Sequence, residues 1–206
     1  MFIAILITLC LISSVKCISP PNIYLKKFDV PGLDGKASNA SQVTGNATTI
    51  SVELSFWNLI SYGAEQQQTV YYDNINLAVY YFSNSNSKLA TGNFTIPEFH
   101  HRFAWSTHRT GTIKTLGVPW EEARTEVSSG RMAIFRIELD TKTRYSNGIW
   151  KSKRHDLRVG TNVTINDRGT MSSNNDLKLS SALVYAGDCV RVGIVALSVL
   201  VLHILM

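Results

Sequence analysis

The stretch from Met132 to Ile165, MAIFRIELDTKTRYSNGIWKSKRHDLRVGTNVTI, decides the fold. From Ala133 to Tyr145 apolar or β-branched side chains (Ala133, Phe135, Ile137, Leu139, Thr141, Thr143, Tyr145) take every second position, and Arg136, Glu138, Asp140, Lys142 and Arg144 fill the gaps. A period of two is the pattern of a strand with one buried face. Asn147-Gly148 follows, the dipeptide best suited to the two positive φ angles of a type I′ turn, so the chain is expected to fold straight back. Pairing outward from a two-residue turn sets Tyr145 against Trp150 on the inner face, and Arg144 against Lys151 and Lys142 against Lys153 on the outer one. Opposed like charges destabilise a sheet by roughly 0.2–1 kcal/mol per pair. With Arg154, His155 and Arg158 beside them, those cations read either as a solvated face whose long side chains splay into water or as a positive surface for an anionic partner.

Neighbouring stretches repeat the period. Ile50, Val52, Leu54 and Phe56 alternate with Ser51, Glu53 and Ser55. In the run VYYDNINLAVYYF that starts at Val70, Ile75, Leu77, Val79 and Tyr81 face one way and Asn74, Asn76 and Tyr80 the other. The polar hexamer Ser83 to Lys88 turns the chain, and Leu89 to Ile96 returns with Phe94 and Ile96 inward and Thr91, Asn93 and Thr95 outward. Ile23 to Val30 is strand-like, but its parity slips at Lys26-Lys27, which predicts a bulge or a break. Pro31 to Gly45 and Asn58 to Gln68 read as loops, and Glu98 to Thr112 is basic and aromatic. Pro119 to Arg124 is expected to make one or two helical turns, with proline at the first helical position and acids in the first turn. Short one-sided strands at hairpin spacing, with almost no helical period, predict an all-β fold, an antiparallel β-sandwich with at most that one short helix.

The 206 residues, 45 % of them apolar, suffice for one domain of about 160 residues plus terminal segments. Phe2 to Val15 is an apolar run of 14 residues, about 21 Å as a helix against a hydrocarbon core of about 30 Å, too short to span comfortably. Val15-Lys16-Cys17 ends it as a signal cleavage site would, and a short uncleaved anchor is the alternative. Val192 to Met206 is a second apolar run, preceded by the triplet Ser180-Ser181-Ala182 and the spacer LVYAGDCVRV. That is the layout of a glycosylphosphatidylinositol (GPI) signal with Ser180 as the lipid attachment residue; a C-terminal membrane helix is the alternative, and Ser172-Ser173-Asn174 is a rival triplet. The expected boundaries are 1–17 for the signal or anchor, 18–180 for the sandwich and 181–206 for the apolar C-terminal segment.

Cys10, Cys17 and Cys189 all belong to the terminal segments, so no disulfide framework, zinc site or thiol nucleophile can be built in the body. The net charge of +5 favours acidic partners. Without a nucleic-acid motif, the expected partner is an anionic membrane surface or an acidic cell-wall polysaccharide, and not DNA or RNA.

Three groups of residues carry a resemblance: Val70-Tyr71-Tyr72-Asp73 with its following alternation, Asn93-Phe94-Thr95-Ile96-Pro97-Glu98-Phe99, and the run from Ala133-Ile134-Phe135-Arg136 through Trp150-Lys151-Ser152-Lys153-Arg154 to Val159-Gly160. Together they resemble the plant NDR/HIN-like family, the non-race-specific disease resistance and harpin-induced proteins, which are built on a late-embryogenesis-abundant type 2 domain. The match spans roughly Ile23 to Gly169. It implies an immunoglobulin- or fibronectin-like sandwich at the plasma membrane, outside the cell, with a part in defence, defence-signalling partners and, in some members, a lipid anchor. Two departures stand out. The family's cytoplasmic segment ahead of its N-terminal membrane helix has no counterpart here, where only Met1 precedes the apolar run, and its Asn-Pro-Asn turn before the Tyr-Tyr-Asp strand is replaced near Asn58-Leu59-Ile60-Ser61.

Glycosylation sequons occur at Asn39, Asn46, Asn93 and Asn162, the last two on the polar parity of their strands. His100, His101 and His108 match no known metal spacing, His155-Asp156 reads as a surface pair, and neither a nucleophile motif nor a phosphate-cradling glycine loop is present. No enzyme activity, metal or cofactor is expected. The expectation is a membrane-anchored extracellular defence or adhesion protein that binds anionic surfaces through Lys142, Arg144, Lys151, Lys153, Arg154 and Arg158. A dehydration protectant of the same domain type, acting on membranes or other proteins, is the alternative.

Overall fold

The computed structural model describes residues 21–34, 49–58, 69–82, 88–102, 105–146 and 151–180. Both apolar terminal runs, Asn39, Asn46 and the Asn147-Gly148 turn with Trp150 lie outside them. Among the described residues the strands are β1 (Asn22–Asp29), β2 (Thr49–Trp57), β3 (Thr69–Tyr72), β4 (Ile75–Phe82), β5 (Lys88–Ile96), β6 (Phe99–His101), β7 (Ser106–Lys114), β8 (Ala133–Ser146), β9 (His155–Ile165) and β10 (Leu177–Leu179), with one α-helix, α1 (Trp120–Ser128), between β7 and β8 and a single 3-10 turn, Pro31–Leu33, after β1.

Strand β8 is the spine of the larger sheet. One edge pairs first with β4, opposite Ile134 to Asp140, and then with β3, opposite Thr143 to Ser146; the other edge carries β9. Strand β5 extends β4 and β6 extends β3, while the smaller sheet runs β10-β1-β2-β7. Every pairing is antiparallel. The expected all-β sandwich is what forms, because the parity of β8 drives it. Ala133, Phe135, Ile137, Leu139, Thr141, Thr143 and Tyr145 are all buried. Aromatic rings lock the two sheets together, Phe28 against Phe135 at 5.7 Å and Phe56 against Tyr72 at 5.3 Å between centroids. Each such side chain contributes about 1.5–3 kcal/mol through burial.

The parity slip at Lys26-Lys27 is a bulge, with the register against β2 shifting between Leu25 and Lys27. Helix α1 is longer than expected and starts one residue later, with Pro119 at the cap position. The run from Val70 breaks at Asp73-Asn74 into two strands, and the Thr141 hydroxyl holds the break by donating to the carbonyls of Asp73 at 3.1 Å and Asn74 at 3.3 Å. Thr91, expected outward, is 2 % exposed. A bulge explains it: Val79 pairs with Gly92 and Tyr80 with Ala90, so Thr91 is the extra residue and turns inward. Phe94, expected inward, is half-buried and lies across the seam to the other sheet, where a Cβ on Gly111 would stand 2.4 Å from its ring.

The hairpin register also differs from expectation. Lys142 faces Asp156 rather than Lys153, a slip of three residues, and Ser146 bridges to Lys151, so Arg144 does not face Lys151. Register is set here by burial. The observed pairing puts Leu157, Val159, Val163 and Ile165 inside. An odd slip exchanges the two faces of a strand, and a two-residue turn would have sent Arg154 and Asp156 inward instead. Ser152 accommodates the surplus chain: its N–H donates to the Tyr145 carbonyl at 2.8 Å, and its hydroxyl accepts from the Tyr145 N–H at 3.0 Å and donates to the Lys153 carbonyl at 2.8 Å. Opposite charges consequently meet on the outer face, Lys142 with Asp156 at 3.9 Å and Arg158 with Asp140 at 2.9 Å.

Candidate functional site

The outer face of the larger sheet carries a row of three side chains across three strands. Tyr71 pairs with Arg144 of β8 on one side and with His100 of β6 on the other. The alternation of β3 buries Val70 and Tyr72, which obliges Tyr71 to face out. Its ring stacks on the His100 imidazole, 5.2 Å between centroids and 26° between planes. The segment pinned by Ser152 folds back over this row and brings Lys151 Nζ to 4.7 Å from the centre of the Tyr71 ring. Arg154 Nε reaches Asp73 Oδ2 at 2.8 Å. Together with Glu98 and Phe99 these groups wall a cleft of about 290 Å³.

Of the six cations singled out in the sequence, the structure gathers Arg144, Lys151 and Arg154 at the cleft. Lys142 and Arg158 are neutralised by Asp156 and Asp140, and Lys153 lies outside the lining. Arg154 is likewise matched by Asp73. Among the described residues Arg144 and Lys151 have no carboxylate partner within ion-pair distance. The cleft therefore offers a guanidinium and an ammonium beside a phenol ring, an arrangement that can hold a carboxylate or phosphate while an attached ring or chain lies on the aromatic row. Tyr71, Phe99 and His100 were not singled out as site residues. The signal for Tyr71 was present, since an aromatic on the outward parity of a strand needs something other than the core to cover it.

The three histidines considered as ligands are separated by the fold. His100 faces out and His101, next on the strand, faces in. His108 lies on the other sheet with Nδ1 3.0 Å from Glu53 Oε1. Among the described residues no group of three or more metal-ligating side chains comes together. His101 is 4 % exposed, and neither ring nitrogen has a hydrogen-bond partner. Burial, with the nearby Arg109 and His100 charges, pushes its pKa down to about 4. It is held as a neutral ring stacked on Tyr72 at 5.7 Å.

Of the glycosylation candidates, Asn93 and Asn162 are exposed on the outer face of the larger sheet, and the Asn162 side-chain oxygen accepts from Arg136 Nη1 at 3.1 Å. Ser180, the expected lipid attachment residue, is exposed at its side chain but bonded at its backbone. Its N–H donates to the Gly160 carbonyl and its carbonyl accepts from the Gly160 N–H, each at 3.1 Å.

Comparison with known proteins finds a relative in sequence and neighbours in structure. The chain is 25 % identical over 166 residues to Protein NDR1 of Arabidopsis thaliana, an alignment covering 79 % of this chain and 70 % of that protein. No family model matches. A protein from Archaeoglobus fulgidus aligns in structure over 61 % of this chain and 91 % of its own at 12 % identity, with a TM-score of 0.29.

Proposed function

Starting from a plant defence-related chain that belongs with the NDR/HIN-like proteins, we propose that it works without catalysis, tethered at the outer side of the plasma membrane, and binds polyanions through the cleft of Arg144, Lys151 and Tyr71. The observation that carries this reading is that Arg144 and Lys151, both lining the aromatic cleft, form no ion pair, whereas Lys142, Arg154 and Arg158 around them are each matched by an aspartate. The bound chemistry is a row of carboxylates or phosphates, as an acidic wall polysaccharide or an anionic headgroup layer provides.

The test compares Arg144→Gln/Lys151→Gln with Lys142→Gln/Arg158→Gln, each removing two positive charges. Both are measured on polygalacturonate and on phosphatidylserine vesicles across a salt series. The cleft pair should lose at least tenfold in affinity and most of the salt dependence, and the control pair should lose little. Equal losses would reduce the effect to net charge and end the assignment. The polymer that responds identifies the source of the anion.

The tether rests on the apolar run from Val192 to Met206, with Ser180 as the attachment residue. Attachment at the rival triplet would remove β10, whose Leu179 is 3 % exposed and pairs with Ile23. Attachment at Ser180, the later of the two positions, keeps β10 and the two backbone bonds between Ser180 and Gly160. Phospholipase C treatment of cells carrying a tagged chain should release a form ending at or just after Ser180, and retention on the membrane would remove the lipid anchor from the reading.

A further inference from the structure

We infer that the end of the sandwich where Asn22, Trp57 and Ser106 line up faces a lipid bilayer, with the indoles of Trp57 and Trp105 seated at headgroup level. Trp57 closes β2 and is 41 % exposed; Trp105 immediately precedes β7 and is 72 % exposed. The register brings them to one end, since Trp57 pairs with Ser106 on one side and with Asn22 on the other. An indole in water is poorly placed, because its large apolar body gains from burial while its N–H still needs a polar partner. The headgroup layer of a bilayer satisfies both at once. Arg102, also exposed, lies in the link between β6 and Trp105 and provides a cation for the same layer.

Chain geometry identifies the occupant. Strand β1 begins at this end with Asn22, and Leu179 lies opposite Ile23, so the chain leaves through Ser180 heading the same way. The sequence outside these points carries the two apolar runs, Phe2 to Val15 and Val192 to Met206. Val15 is six residues before Pro21 and Val192 twelve after Ser180, so even fully extended connections hold this end within about 20 and 40 Å of those runs. The other strongly exposed apolar side chains, Leu116, Met132 and Ile134, lie past or at the opposite ends of β7 and β8 and are aliphatic. They serve as an internal control.

This inference rests on the membrane tether proposed above, and the experiment separates the two. The full chain is reconstituted with phosphatidylcholine/phosphatidylserine vesicles whose acyl chains are brominated near the headgroup. Vesicle association is read by flotation, and indole depth by bromine quenching of tryptophan emission. The wild-type chain should float and be quenched. With Trp150→Phe introduced into every chain, so that Trp57, Trp105 and the buried Trp120 are the tryptophans that remain, Trp57→Phe/Trp105→Phe should float equally but lose at least half of the quenchable emission, Trp120 contributing none, while Leu116→Ser/Met132→Ser should quench as its parent does. A chain that does not float overturns the tether and this inference together. A chain that floats with quenching unchanged in the double Trp variant overturns this inference alone, as does a loss of quenching confined to the Leu116/Met132 variant.

Discussion

The Tyr81 hydroxyl donates to Glu126 Oε2 at 3.0 Å, joining β4 to α1 in the protein interior. Burial first, and then this bond and the glutamate charge, raise the phenol above its ordinary pKa. Glu126 is 8 % exposed and its Oε1 has no partner, so the phenol is the group that keeps the carboxyl in place. Tyr81→Phe should cost about 1–3 kcal/mol, the penalty of a buried acceptor left without its donor. Tyr81→Phe/Glu126→Met, which removes both halves of the pair, should recover much of that loss. Urea unfolding midpoints check it, and a double variant weaker than the single would show that the helix is held by other means.

Stability should fall as the solution is acidified through the range in which His101 would protonate if the chain were unfolded. The folded pKa of about 4 lies below the ordinary 6.5, so between those values the unfolded chain takes up a proton that the folded one refuses. The contribution is fully present above pH 6.5, shrinks as pH drops toward 4 and is then exhausted, a difference of about 3 kcal/mol. His101→Phe keeps a ring against Tyr72 and has nothing to protonate. Chemical unfolding at pH 7 and pH 4.5 should show a shallower pH dependence for the variant than for the wild type; parallel slopes would place the titrating group elsewhere.

Gly169 takes φ of +69°, and a Cβ there would stand 2.4 Å from the Val30 carbonyl oxygen. The closeness has a purpose: the Val30 N–H donates to the Gly169 carbonyl at 2.7 Å, tying the end of β1 to the turn after β9. Gly169→Ala meets both a left-handed backbone and a backbone oxygen that cannot step aside. It should cost at least about 1–3 kcal/mol, visible as a lowered thermal midpoint. Gly117, with φ of +71° and open space around it, is the comparison, and Gly117→Ala should carry the backbone cost without the collision.

Strand parity made the fold legible, because burying one face of a strand leaves a mark on every second residue. β2, β4 and β8 were readable for that reason, and so was the bulge at Lys26-Lys27, where the mark slips. Strand β7 was not, because only Ile113 of Ser106–Lys114 is buried and an edge strand with polar residues on both faces has no period to show. The hairpin register was misread by trusting Asn147-Gly148 over the apolar parity of Leu157, Val159, Val163 and Ile165, although burying four side chains outweighs the choice of turn. That error carried into the site. The like-charge ladder that drew attention to the basic hairpin does not exist, and Arg144 and Lys151 stand out instead because the chain that packs beside them brings an aromatic row, while the acids lining the same cleft, Asp73 and Glu98, form no ion pair with either.

Glycans should cover the middle of the larger sheet's outer face and leave the cleft open. Asn93 pairs with Ala78, which pairs with Glu138, while Asn162 pairs with Arg136, so both sequons lie over the part of β8 that precedes Asp140. The cleft is built on Arg144, at the other end of that strand. At Asn162 the Arg136 guanidinium holds the side-chain oxygen, which leaves the amide nitrogen to carry the sugar. When the chain is made through a secretory pathway, peptide mapping should find both asparagines modified. Asn93→Gln/Asn162→Gln should then lose both glycans while binding polygalacturonate or anionic vesicles with an affinity within about twofold of the parent, since neither residue touches the cleft. A tenfold change in binding would mean that the sugars reach across the sheet and that the cleft is not the independent surface its geometry describes.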